Sequence, residues 1–341
     1  MMKRSSVLLV VGLMCLVSAM GASAAQVEEQ TFALKADGSV SVDNSAGETV
    51  IHAWDKEEVR MISTRKGSGA DKIEIIIDAG EDYLQIETEY PVFSWFRRPR
   101  VNYELWVPQG ATLRIIASSG DIQIEGQRSD VRVNASSGNI ELADIWGAID
   151  AGTSSGSIRA EDSKGDIIAR SSSGSIRILG VEATEGELND IRVHASSGSI
   201  VLKDIEANID AETSSGGISI DNSQGNISAS CSSGDIRIVE AQGAVESIRT
   251  SSGKIYVELE EVDEDASQMS FQSSSGDISL FLPADIDAEV DIRTTSGRIS
   301  TDFRIAVEGT LEKNELQGTI GAGGILIRLR ATSGDVSLRS L

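Results

Sequence analysis

Ser118-Ser-Gly-Asp-Ile-Gln-Ile-Glu125 is answered by Ser136-Ser-Gly-Asn-Ile-Glu-Leu-Ala143, and this pair governs the reading of the chain. Both stretches place a turn-forming Ser-Ser-Gly ahead of apolar residues at the second and fourth positions after the glycine: Ile122 and Ile124, then Ile140 and Leu142. Alternation with period two is strand chemistry, because neighbouring side chains leave a strand on opposite faces. Working outward, Ser-Ser-Gly or a close variant ends at Gly120, Gly138, Gly156 and Gly174 at intervals of 18 residues. It recurs at Gly198, Gly216, Gly234, Gly253, Gly276, Gly297 and Gly334. Each interval also halves, since Gly147, Gly165 and Gly225 fall nine residues after Gly138, Gly156 and Gly216. The second half alternates like the first, in Val131, Val133 and Ala135 and in Ile209, Ala211 and Thr213.

Chemical identity one full period apart predicts an all-β fold, a parallel β-solenoid (β-helix). Its coils are of approximately 18 residues, each with two short main strands joined by tight turns. Antiparallel hairpins would instead show paired I′ or II′ turn signals with complementary alternation around them. Ile145 and Ile205 are expected to close a corner, and a lone coil buries too little to fold by itself. Two interruptions bulge from the pattern, one around Gly180 to Gly186 and one in the acidic segment Glu258 to Asp265, before Met269 and Phe271 return inward. The nine-residue offset would turn Glu246 inward, so a one-residue bulge is expected there.

Residues 1–25 read as a signal peptide. Lys3 and Arg4 precede an apolar run from Val7 to Val17, and Ala22-Ser-Ala24 supplies the small residues for cleavage after Ala24 or Ala25. The run is short for about 30 Å of hydrocarbon, and the Leu13-Met14 pair before Cys15 disfavours a lipoprotein site. An exported protein follows, periplasmic, on the outer surface or secreted, with no transmembrane segment in the mature chain and Cys231 as its single thiol. Residues 26–110 form an N-terminal β region and cap, 111–305 the regular coils, and 306–341 a C-terminal coil and second cap, with Ile325 to Leu341 as two last strands. Aromatics are only 4% of the chain, which suits thin layers of branched side chains. The formal net charge of −23 argues against a nucleic-acid partner.

No constellation for chemistry emerges, and the reading is that of a non-enzyme. His52 and His194 are far apart in sequence, and His194 alternates with inward Val193 and Ala195, so it should face solvent. The serines before each glycine are explained by turns, with no base or oxyanion site in view. Cys231 holds the position filled elsewhere by Ala195, Thr213 and Thr250 and reads as a small buried filler. The acids from Glu258 to Asp265 lack the spacing and central glycine of a calcium loop. No cofactor or metal site is predicted. Asp150 and Asp210 share one outward column with Arg132 and Arg192, while Arg170, Arg249, Arg293 and Arg330 share another; neutralising neighbouring acids is their default role. The most distinctive non-repeat stretch is Tyr90 to Pro99. There Phe93, Trp95, Phe96, Arg97 and Arg98 form the candidate contact surface, with packing over the end of the solenoid as the competing reading.

Gly38-Ser-Val-Ser-Val42, Trp54-Asp55, Ser232-Ser-Gly-Asp-Ile236, Ser274-Ser-Gly-Asp-Ile278 and Thr332-Ser-Gly-Asp-Val336 carry a resemblance. The chain resembles, over residues 30 to 341, a bacterial family of uncharacterised adhesin-like proteins with Ser-Ser-Gly-Asp-Ile repeats. That resemblance implies the β-solenoid and, for function, only a repeat architecture. The expectation is a non-catalytic cell-envelope or secreted scaffold binding an unidentified protein, glycan or envelope surface, of open oligomeric state. The alternatives are a self-associating structural protein and a polysaccharide-active β-helix enzyme.

Overall fold

The computed structural model describes residues 25–90, 99–263, 266–307 and 313–341. These are strands and turns without an α-helix; one 3-10 turn covers Ala70–Lys72. The fold is all-β, in two compact units that divide after Gly138.

Ten strands build the first unit: β1 Gln26–Ala33, β2 Ser39–Ala46, β3 Thr49–Trp54, β4 Glu58–Lys66, β5 Glu74–Ala79, β6 Tyr83–Glu89, β7 Arg100–Pro108, β8 Thr112–Ser119, β9 Ile122–Glu125 and β10 Val131–Ser137. In one sheet β1 runs antiparallel to β4 and β4 to β7, after which β7, β3 and β9 are parallel neighbours. In the other β5 is antiparallel to β6, and β6, β2, β8 and β10 follow in parallel. The antiparallel strands thus end the parallel order, which blunts edges that would otherwise invite pairing. Space does not follow sequence here. The pair β2–β3 lies between β6–β7 and β8–β9, although it comes first in the chain.

In the second unit the 18-residue period becomes hydrogen-bond register. Ile140 lies opposite Ile158, Ile158 opposite Ile176, Ile200 opposite Ile218 and Ile218 opposite Ile236, all in parallel pairs. A second ladder puts Ile149 opposite Ile167, Ile191 opposite Ile209 and Ile209 opposite Ile227. These residues are at most 3% exposed and form the core, and Ile145 and Ile205 are buried at the corner as expected. The insertion near Gly180 leaves Ile176 opposite Ile200, and Met269 and Phe271 are buried after the acidic one. The predicted bulge is present: Ile227 pairs with Val245 but Ser228 with Ser247, which turns Glu246 outward.

The C-terminal order departs from expectation. Ile325–Ser333 and Val336–Ser340 are strands, but they are not outermost. The first lies between Gln268–Ser275 and Ala288–Thr294. The second lies between Ile278–Leu282 and Ile299–Thr301. Glu315–Ile320 then runs antiparallel along Ala288–Thr294.

Two residue ladders explain the motif. A Cβ on Gly234 would sit 2.2 Å from the carbonyl oxygen of Gly216, and one on Gly276 1.9 Å from that of Gly253, so neighbouring repeats approach too closely for any side chain. Three residues before these glycines, a small polar side chain donates to the glycine carbonyl one repeat back. Thr213 does so to Gly198 at 2.9 Å, Cys231 to Gly216 at 3.0 Å, Thr250 to Gly234 at 3.1 Å and Ser273 to Gly253 at 3.0 Å. Cys231 therefore stands in for threonine; burial foremost pushes its thiol above the ordinary value. The residue after the glycine has its own task. The Asp235 carboxylate accepts from the Lys254 amide at 2.8 Å and that of Asp277 from the Asp335 amide at 3.0 Å, each across one strand spacing.

Candidate functional site

With every second side chain turned inward, any function has to be carried by the outward rows and the turns. In the first unit, Arg60, Trp106 and His52 line up across β4, β7 and β3. Trp106 is sandwiched: the Arg60 guanidinium lies 4.6 Å from its ring centre, and the His52 ring stacks at 5.4 Å and 30°. His52 Nε2 is 3.6 Å from Glu104, and Arg60 also reaches Glu29 at 2.7 Å. Lys56 covers Trp54 at 4.4 Å, and the Trp54 indole donates to the Glu58 carbonyl at 2.8 Å. Both indoles already hold a cation, so this row is internally satisfied.

The sequence-predicted contact residues Phe93, Trp95, Phe96, Arg97 and Arg98 lie outside the described residues. Their N-terminal flank is anchored: the Tyr90 hydroxyl donates to the Ala46 carbonyl at 2.6 Å, beside buried Asn44, which itself donates to the Val101 carbonyl at 3.0 Å.

In the second unit the predicted outward columns are in register. Asp150, Ile168, Arg192 and Asp210 are successive partners, and so are Arg170, His194 and Glu212. Arg170 reaches Asp150 at 3.0 Å, Arg192 reaches Asp190 at 2.8 Å, and His194, half-exposed, is 3.4 Å from Glu212. Local neutralisation, the default reading, accounts for these. The same column continues through Ser230, Arg249, Gln272, Arg330 and Arg293. There a cavity of 610 Å³ opens, its lining including Gln272, Arg293, Thr295, Asn314, Glu315 and Arg330. Glu315 belongs to the antiparallel strand Glu315–Ile320, which no repeat motif announces.

Asp291 organises this corner. Arg330 grips its carboxylate through both terminal nitrogens, one of them at 3.0 Å. Gln317 donates to it at 3.2 Å and Arg293 approaches at 3.3 Å. Burial alone would raise the Asp291 carboxyl, but the hydrogen bonds and charge of Arg330, with Gln317 and Arg293, outweigh it and hold the group below its ordinary 3.8. Arg293 meanwhile reaches Glu315 at 2.8 Å. Arg249 has no ion pair among the described residues. Sequence inspection found the arginine column; it missed Asp291 and Glu315, whose only signal was acidity in an acidic chain.

Among the described residues no three His, Cys, Asp or Glu side chains gather to hold a metal. Within the same set, no helix is long and apolar enough to cross a membrane.

Parallel ladders of short strands with serine-glycine turns define an all-β repeat domain whose outward rows carry its variable chemistry. The chain belongs to the Toastrack DUF4097 family, whose model matches twice, over residues 24–185 and 160–339. Among solved structures it is similar to a "putative cell adhesion protein" from Clostridium sporogenes, at 9% identity and a TM-score of 0.20. That match spans 93% of this chain and 100% of the other, and at such a score it carries no argument. No curated protein matches.

Proposed function

We propose that the mature chain is an exported parallel β-solenoid acting as a non-catalytic binding scaffold of the cell envelope or extracellular space, adhesin-like in its use of repeated surface. The observation that carries this reading is the register itself. Equivalent residues one 18-residue period apart face each other in parallel pairs, for example Ile200 and Ile218, and leave continuous outward columns. Such columns suit extended contacts with a protein, a glycan or a surface. The turn serines are mostly exposed and sit at the closely packed glycine corners, which supports a structural role for them. Asp291, ionised and held by Arg330, is poorly suited to the general-acid half of a glycosidase pair.

The test is a glycan and envelope-fraction binding survey with the chain secreted from its own leader, beside a Trp95→Ala/Phe96→Ala variant. The reading expects retention by the parent chain, loss in the variant, and a mature N-terminus at Ala25 or Gln26. Retention unchanged in the variant moves the contact away from Trp95 and Phe96. If nothing is retained and light scattering finds growing assemblies of the intact chain, the structural-polymer alternative replaces the scaffold.

A further inference from the structure

We propose that the outer edge of β5 receives an extended basic strand from a partner protein. The inference deepens the scaffold reading, on which it rests, by naming a partner class and a place other than the Tyr90 to Pro99 segment.

Among the described residues β5 pairs with β6 alone, in unbroken antiparallel register from Glu74 opposite Glu89 to Ala79 opposite Leu84. Its second edge makes no backbone hydrogen bond within that set. The antiparallel cap ends the stacking of coils, yet its last strand still presents a row of N–H and C=O groups. Glu74-Ile-Ile-Ile-Asp-Ala79 has no proline, lysine or bulge to deter pairing, and its isoleucines favour an extended neighbour. Its side chains alternate. Ile75 and Ile77 share the inward face of buried Thr88 and Ile86 but stay only half-buried, whereas Glu74, Ile76 and Asp78 face outward and Ile76 is 40% exposed. Charge selects the occupant. Glu74 and Asp78, with Glu87 and Glu89 on the same face of β6, have no ion pair among the described residues, and Asp78 accepts only a neutral hydrogen bond, from the Tyr83 hydroxyl at 3.2 Å. The other cap edge differs, because on β1 Glu28 already meets Arg65 at 3.0 Å and Glu29 meets Arg60 at 2.7 Å. A second copy fits the β5 edge badly: antiparallel pairing centred on Ile76 would set Glu74 against Asp78 twice, and like charges directly opposite destabilise a strand pair. A strand with apolar residues opposite Ile75 and Ile77 and lysine or arginine opposite Glu74 and Asp78 completes the backbone bonds, covers the apolar pair and neutralises the row.

Fluorescence anisotropy of the mature chain with a labelled peptide of core Lys-Val-Thr-Val-Lys tests this, with Glu-Val-Thr-Val-Glu as the control. Both cores read alike in either direction, so strand polarity need not be assumed. The expected result is saturable binding of the basic peptide that weakens as salt rises, at least tenfold weaker binding of the acidic one, and slowed amide hydrogen exchange confined to β5 and its neighbours. Glu74→Lys/Asp78→Lys should weaken the basic peptide at least tenfold and admit the acidic one. Should that variant fold poorly, Glu74→Gln/Asp78→Asn should narrow the preference between the two peptides. No binding of the basic peptide, equal binding of both, or a preference unchanged in a folded variant would overturn the proposal. So would β5 amides already fully protected without peptide, which would mean a covered edge, or a dimer of the parent chain held by β5, which would give the edge to a second copy. Each of these failures leaves the scaffold reading to the separate Trp95/Phe96 survey.

Discussion

A single methyl group decides whether two repeats can close at a serine-glycine corner. Gly234→Ala would place its Cβ 2.2 Å from the Gly216 oxygen, in backbone at φ +153° that side chains rarely adopt. Urea denaturation should find it destabilised by about 3 kcal/mol or more. Gly217→Ala, whose nearest neighbour would be 3.2 Å away, should stay within about 1 kcal/mol. Equal costs at the two positions would refute the close-approach account. A second residue-scale prediction concerns Tyr103, 1% exposed, whose hydroxyl pairs with Thr88 at 2.7 Å. Burial pushes this phenol up to about 12, partly opposed by the Thr88 hydrogen bond. A raised folded value favours the neutral form, so this contribution is intact below about pH 10 and is lost as pH climbs through about 12. The urea midpoint should therefore fall between pH 9 and 11.5 more steeply in the parent than in Tyr103→Phe, and parallel slopes would count against it.

Strands were legible where identity recurs and illegible where it does not. Ile, Val and Ala at period two, repeated every 18 residues, fixed the inward face, and the one offset that failed at Glu246 pointed to its own bulge. A left-handed corner passed unread. Asp144, Asp162, Asp204, Asn222 and Glu240 all have φ between 51° and 57°, at equivalent places in their repeats. Asp and Asn tolerate that conformation, but Gly180 and Glu240 break the chemical identity that would have exposed the column. The insertion of Ile325–Ser333 between two earlier strands was equally hidden, because every repeat carries the same corner motif and local chemistry does not say which stacks on which. That insertion has a consequence. Removing residues 325–341 should uncover the edges of Gln268–Ser275 and Ile278–Leu282, and the truncated chain should aggregate or lose its cooperative unfolding transition. Recovery of a monodisperse, cooperatively folded truncation would mean that Ala288–Thr301 can restack on those strands unaided.

Each unit breaks chain order in the same manner. In the first, β2–β3 sits between two later pairs; in the second, Ile325–Ser340 sits between two earlier ones. Neither pair could be placed from sequence, for the same reason that the candidate site was only half visible. The arginine column follows from period alone, whereas the Asp291 and Glu315 partners depend on an antiparallel strand that lies outside the repeat. The advance of the parallel repeats by one strand spacing per period can be measured directly in the second unit. Arg159, Arg177, Val201, Ser219, Arg237, Tyr256 and Ser279 are successive outward partners. Spin labels on a Cys231→Thr background at Arg159 paired with Arg237, Tyr256 or Ser279 should give pulsed electron resonance distances rising evenly, about 19, 24 and 29 Å. Distances that level off or shorten along that series, as in a sheet closing on itself, would contradict the account.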